Sequence, residues 1–213
     1  MKLIGLFDSP YVRRVAVSMR LQGFSFEHVA LSVFRHIDEM RTMNPLVKVP
    51  MLVLDNEERL IESSFILDYL DGESAPETRL IPASGPQRRK IQQHCAVALI
   101  GSEKAVQLYY ETGLRPSEHT YHAWAERCRT QMHGALSELE RHASERGTGR
   151  WLIGEQLTQA DITAVCAFTF LTEALGLSSH TAPYPALRAL AGRCEALPEF
   201  HGTRAEFNVP QSA

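Results

Sequence analysis

The four cysteines, Cys95, Cys128, Cys166 and Cys194, form no CxxC pair; their spacings are 33, 38 and 28 residues. That excludes a dithiol redox motif and leaves no zinc ligand set. All four lie in apolar, helix-like stretches, so buried reduced thiols in a cytosolic protein are expected. A basic excess is also missing: 22 Lys+Arg stand against 25 Asp+Glu, a net charge of −3. No nucleic-acid partner is expected from that balance. No apolar run approaches the roughly 18 residues of a membrane span, so no membrane association is expected. The apolar start of the chain stops at Asp8, with Arg13 and Arg14 soon after, which is too short for a signal peptide. His119 and His122 stand at i, i+3 without an acidic or cysteine companion at ligand spacing. They read as a solvated helix face, and no metal is expected.

What the chain does have is enough apolar sequence for a core: 213 residues, 44% hydrophobic and 22% charged. That length suits one or two domains. Two textures divide it. In the first, Leu3-Ile4-Gly5-Leu6-Phe7 suits a strand buried on both faces. Ser9-Pro10 then opens a helix, serine as N-cap and proline at the first position. Val12, Val15, Ala16 and Met19 give its apolar stripe and Gly23 its end. A second strand follows over residues 26–31, which makes a parallel pair with a right-handed crossover. Residues 35–41 are weakly helical. Residues 50–54 and 59–61 flank Asp55-Asn56-Glu57-Glu58 as a hairpin. Ser63 or Ser64 is expected to cap a last helix bearing Ile66, Tyr69 and Leu70.

The order β-α-β-α-β-β-α predicts a small mixed sheet with helices packed on it, the thioredoxin-like arrangement, over residues 1–74. Residues 75–86 hold three prolines and a glycine and read as a linker. Residues 87–213 hold no good strand and read as an all-α domain, giving an α+β protein with a helical second half. Its expected helices are residues 87–112, residues 117–144, a buried central helix after Thr158-Gln159-Ala160-Asp161, and one that Pro185 starts and Pro198 ends. Gly176 stops the central helix. Thr158-x-x-Asp161 has capping-box form, so both residues are assigned structural roles.

Four pieces of the first half carry a chemical reading. Ser9-Pro10-Tyr11-Val12-Arg13-Arg14 lies where a strand hands over to a helix N-terminus, a place that stabilises anions. Lys48-Val49-Pro50 puts a proline at the start of a strand, where a cis bond is allowed. Glu62-Ser63 sets a carboxylate and a hydroxyl at another helix N-terminus. Asn44-Pro45 precedes the lysine loop. Each piece alone is ordinary: Ser9 as a plain cap, Pro50 as a strand start, Glu62 as a solvated carboxylate.

Together with Thr158-Gln159-Ala160-Asp161-Ile162, these pieces resemble the glutathione transferase family over nearly the whole chain, most closely its serine-type members. The resemblance implies that Ser9 activates the glutathione thiol and that Val49, before a cis Pro50, pairs its backbone with the cysteinyl part. Glu62 and Ser63 would hold the γ-glutamyl end, and Lys48, with Arg35 or His36, would lie near the glycyl carboxylate. It implies a cytosolic homodimer, glutathione as co-substrate, and no metal or nucleotide. Residue chemistry agrees: Glu62 is the one charge in its motif able to pair with an ammonium, and the helix amides beside Ser63 suit a carboxylate. Proline follows Ser9 where the zeta-type isomerases carry cysteine, and no Cys-Pro-x-Cys or lone cysteine stands there for glutaredoxin- or omega-like thiol transfer. Tyr11, Tyr109, Tyr110 and Trp124 are candidates for the second-substrate pocket, against the alternative that helically spaced aromatics are core. The expected activity is conjugation of the glutathione thiolate to an electrophilic, fairly apolar small molecule. Isomerisation, dehalogenation or peroxide reduction with glutathione, and a non-catalytic interaction module on the same fold, are the alternatives.

Overall fold

The computed structural model describes residues 1–176 and 184–207. The expected end of the helical domain at residue 213 therefore lies outside the described residues. Four short strands form one sheet in the order β2-β1-β3-β4. They are β1 (Lys2–Ile4), β2 (Glu27–Val29), β3 (Met51–Val53) and β4 (Arg59–Ile61). β1 and β2 run parallel, Lys2 opposite Glu27 and Ile4 opposite Val29. β3 is antiparallel to β1, with Leu52 opposite Leu3, and β4 is antiparallel to β3.

Alternation along β1 divides the core. Leu3 joins Val12, Val15, Ala16, Met19, Ile66 and Leu70 from α1 (Pro10–Leu21) and α3 (Ser63–Glu73). Its neighbour Ile4 points to the other face, with Leu31, Met51 and Met40 of α2 (Ile37–Met43). Strand side chains alternate faces, so one three-residue strand seats helices on both sides of the sheet. This is a thioredoxin-like domain, and it is followed by a helical one.

The helical half comprises α4 (Gly85–Tyr109), α5 (His122–Arg146), α6 (Gln159–Ala174), α7 (Pro185–Glu195) and the short α8 (Pro198–His201). α6 is buried from Gln159 to Leu171 on every side and forms its centre. Its capping box is complete: the Asp161 carboxylate accepts from Thr158 N at 2.9 Å, and Thr158 Oγ1 accepts from Ala160 N at 3.3 Å. α1 belongs to both halves. Val17 reaches the helical core, and Ser18 Oγ lies 2.9 Å from Gln159 Oε1. Arg13, almost wholly buried, donates to both carboxylate oxygens of Glu195 in α7 at 2.8 and 2.6 Å. The four cysteines are buried and unbridged.

Several boundaries differ from expectation. Gly85 and Pro86, read as linker, form the first turn of α4, since Pro suits the first helical positions. α4 ends at Tyr109 and continues as a π-helical turn over Tyr110–Leu114. Ser117–His119 is a 3₁₀ turn, and α5 starts only at His122, so His119 and His122 do not share one helix face. Pro198 does not merely end α7; it opens α8. Among the described residues, no helix is long and apolar enough to cross a membrane, and no cluster of three His, Cys, Asp or Glu side chains is placed to hold a metal.

Candidate functional site

The C-terminal end of β1, the start of α1 and the loop before β3 converge on Gly5. Its φ is +129°, and an added Cβ would lie 2.6 Å from Val12 Cγ2 and 2.9 Å from Val49 Cβ. Only glycine admits that approach and that backbone. It brings the first turn of α1 and the Val49 loop onto one side of the sheet.

Ser9 is the N-cap of α1, in extended conformation, with Pro10 behind it. Its Oγ accepts from Val12 N at 3.5 Å, the outer limit of a hydrogen bond, and its own proton has no acceptor among the described residues. The lysine loop is propped from inside by Asn44, whose buried side chain donates to Lys48 O at 3.0 Å and accepts from Leu46 N at 3.0 Å. This is the structural use of Asn44-Pro45. The Val49–Pro50 peptide bond is cis.

These elements border a cavity of about 450 Å³, within the range of small-molecule sites. Of the residues singled out from sequence, Ser9, Tyr11, Arg35, Lys48, Val49, Tyr109 and Tyr110 line it. Arg35 sits in a turn whose Phe34 and Arg35 amides donate to Ser32 Oγ at 3.2 and 3.3 Å. Phe34 meets Tyr110 edge-on at 5.7 Å, so the two halves of the chain touch across the cavity.

Glu62 and Ser63 stand apart from the cavity wall, at the start of α3. Glu62, not a serine, is the N-cap, and its φ is +69°. Its carboxylate accepts from Ser64 N and from Ser63 Oγ, each at 3.3 Å. Arg14 reaches Ser64 Oγ at 3.4 Å, while its Nε and Nη1 are buried with no hydrogen-bond partner among the described residues. Burial pulls the Arg14 pKa down, and the nearby Glu62 charge opposes it. Glu62 also acts electrostatically on Tyr11, which joins this corner to the cavity.

Three sequence candidates fall elsewhere. Trp124 does not line the cavity: it packs on the helical core with Lys104 Nζ 5.5 Å from its ring centroid, as the core alternative had it. His36 is tied to its own loop, Nδ1 accepting from Ser32 N at 3.0 Å. Pro50 is buried behind Val49. Conversely, Phe34, Val106, Phe170 and Phe207 line the cavity and were not singled out. Phe34 adjoins Arg35 in a polar loop, which is the one signal among them.

A thioredoxin-like domain facing an all-helical domain across a shared cleft defines the two-domain transferases of that fold. Residues 3–78 match the glutathione S-transferase N-terminal domain and residues 123–193 the C-terminal domain, together more than half of the chain. The chain belongs to the glutathione S-transferase family. It is similar to a glutathione S-transferase of Methylobacterium radiotolerans solved with glutathione sulfonate, at 25% identity and TM-score 0.90, over 100% of this chain and 98% of that one. A glutathione transferase family member from Pseudomonas fluorescens Pf-5 with bound glutathione aligns at 28% identity and TM-score 0.83, over 97% and 99% of the two chains. A probable maleylacetoacetate isomerase 2 of Drosophila melanogaster is 24% identical over 88% of this chain and 80% of its own length.

Proposed function

We propose that this protein is a glutathione transferase that adds the glutathione thiolate to a small, fairly apolar electrophile, with Ser9 as the thiol-activating residue. The observation that carries the reading is the Ser9 hydroxyl. It borders the cavity at the N-terminus of α1, its proton has no acceptor among the described residues, and its capping bond is at the limit of length. The magnitudes suffice. A free thiol has a pKa of about 8.5, and making it mostly thiolate at neutral pH takes about two units, or about 2.7 kcal/mol. One hydrogen bond to a charged group gives about 1.5–3 kcal/mol. A helix N-terminus adds about 0.3–1 kcal/mol. A hydroxyl accepts from an amide while donating its proton, so capping and activation coexist in one residue.

In this reading Val49 pairs its backbone with the peptide, and Lys48 and Arg35 take the glycyl carboxylate at the cavity mouth. Glu62 takes the γ-glutamyl ammonium, and Ser63 with the α3 amides takes its carboxylate. Tyr11, Tyr109 and Tyr110 border the second substrate. A cytosolic homodimer, the family's usual state, belongs to the same proposal.

Glutathione-dependent isomerisation is the second reading, favoured by the likeness to the isomerase over most of the chain. Both readings share the thiolate, so a substrate panel separates them. Retention on immobilised glutathione followed by a conjugation assay tests the proposal. Retention with turnover is expected; neither retention nor turnover would point to a non-catalytic interaction module.

A further inference from the structure

His28 is a polar residue on an apolar face. Its neighbour in β2, Val29, packs with Ile4 on one side of the sheet. Strand side chains alternate, so His28 lies on the other side, level with Leu3. A half-buried imidazole there needs partners. Both come from the connection between β1 and α1. His28 Nε2 lies 2.7 Å from Gly5 O. A carbonyl only accepts, so Nε2 carries the proton and donates. The imidazole also lies flat on the ring of Phe7, with centroids 3.7 Å apart and planes 6° from parallel.

That connection carries Ser9. Gly5 N donates to Val29 O at 3.0 Å, and Ser9 N donates back to Leu6 O at 3.2 Å. Two consecutive residues of β2 therefore hold the N–H and the C=O of Gly5, and the turn that delivers Ser9 starts at the next residue. Leu6 and Asp8 border the cavity with Ser9, while Phe7 between them packs on His28 and on the core around Leu3. The hydroxyl's own tie to its helix, from Val12 N at 3.5 Å, is weak. Its aim then depends on the turn that carries it.

We propose that His28 is a positioning residue for thiol activation: by holding Gly5 O and the Phe7 ring it fixes the turn that aims the Ser9 hydroxyl at the glutathione sulfur. The inference rests on the reading of Ser9 as the activating residue. A hydrogen bond weakens steeply as its angle closes, and a small misplacement of a catalytic group is costly in rate.

The test follows the ultraviolet absorbance of the bound glutathione thiolate against pH, on the full chain at saturating glutathione. The proteins are the wild type, Ser9→Ala, His28→Phe and His28→Gln. Phenylalanine keeps a flat ring against Phe7 and removes the donor; glutamine returns an amide donor at similar reach. Neither replacement titrates, so the profile reports the thiol. His28→Phe should raise the apparent thiol pKa by about half a unit to one unit. It should lower kcat at neutral pH about threefold to tenfold. Glutathione Kd should hold within about twofold, because Glu62 and Lys48 lie on other elements. His28→Gln should return most of the shift. A residue that served only stability would lower the melting temperature and leave the thiol pKa in place. An unmoved thiol pKa in His28→Phe beside a raised one in Ser9→Ala overturns the role of His28 and leaves that of Ser9. A His28→Gln as impaired as His28→Phe also overturns it. If the wild type binds no thiolate, or Ser9→Ala is unmoved, the Ser9 reading falls and this role falls with it. Should His28→Phe fail to fold, Phe7→Leu removes the flat partner instead: a shift in the same direction is expected, and a wild-type thiol pKa overturns the proposal.

Discussion

Asp161 anchors the helix on which both halves depend. Its carboxylate accepts from Leu152 N at 2.8 Å, Thr158 N at 2.9 Å and Thr158 Oγ1 at 3.0 Å, and the residue is fully buried. α6 in turn supports α1 through the Ser18–Gln159 contact and supplies Phe170 to the cavity wall. Asp161→Ala leaves two buried amides without acceptors, at about 1–3 kcal/mol each, or about 2–6 kcal/mol in total. Part of that is returned, because burial disfavours the charged carboxylate and pushes its pKa up against those hydrogen bonds. The expected loss is therefore about 2–4 kcal/mol, above the roughly 1 kcal/mol typical of a lost cap. Against a native stability of about 5–15 kcal/mol this is a large share. Urea unfolding of the wild type and variant, followed by circular dichroism, reads it as a lower midpoint at an unchanged slope. Asp161→Asn, which keeps one acceptor oxygen, should fall between the two. A loss below about 1 kcal/mol would refute the accounting of buried donors. A variant that unfolds like the wild type but has lost activity would refute the structural role itself.

The Arg13–Glu195 pair gives a pH prediction. Burial alone would raise the Glu195 pKa, but the hydrogen bonds and charge of Arg13, with Arg204, outweigh it and hold it below the ordinary glutamate value. A depressed carboxylate contributes stability above its unfolded pKa of about 4.3 and loses it as pH falls through the lower folded value. Glu195→Gln should cost about 3–5 kcal/mol at neutral pH, because Arg13 stays buried without its counter-charge. The gap from the wild type should narrow on acidification; denaturation midpoints showing a constant gap would contradict the sign. Glu62→Ala tests the ammonium site: glutathione affinity by calorimetry should fall by about 1.5–3 kcal/mol, the worth of a charged hydrogen bond. Unaltered affinity would remove Glu62 from the proposed site.

The strand-helix-strand start was legible because Val12, Val15, Ala16 and Met19 repeat at helical spacing between two apolar runs, and each is buried. The Ser9 cap and the Thr158–Asp161 box were legible for a similar reason: capping is local chemistry. The α3 cap was not. Glu62 holds it at positive φ, a backbone state that no side chain but glycine announces. Pro198 was read as a stop, yet proline at a first helical position is equally a start signal, and α8 uses it so. The cavity wall was least legible. Phe170 and Phe207 are far from Ser9 in sequence and come to the cavity only through tertiary packing, with Phe207 lying 5.1 Å from the Tyr109 ring and 5.8 Å from that of Phe170. The same apolar spacing served Trp124 as core, so periodicity does not separate wall from core.

The central claim is that a single hydroxyl at the α1 N-terminus makes the thiolate. The pH–rate profile of Ser9→Ala beside that of the wild type, with glutathione and a turned-over electrophile, tests it most directly. The variant should lose turnover at neutral pH and show its apparent thiol pKa returning toward the free value of about 8.5. Raising the pH should then recover part of the rate, since the thiol ionises without help. The long Val12 N–Ser9 Oγ contact predicts a stability loss of no more than about 1 kcal/mol. Wild-type turnover at neutral pH in Ser9→Ala, with an unmoved profile, would contradict the claim.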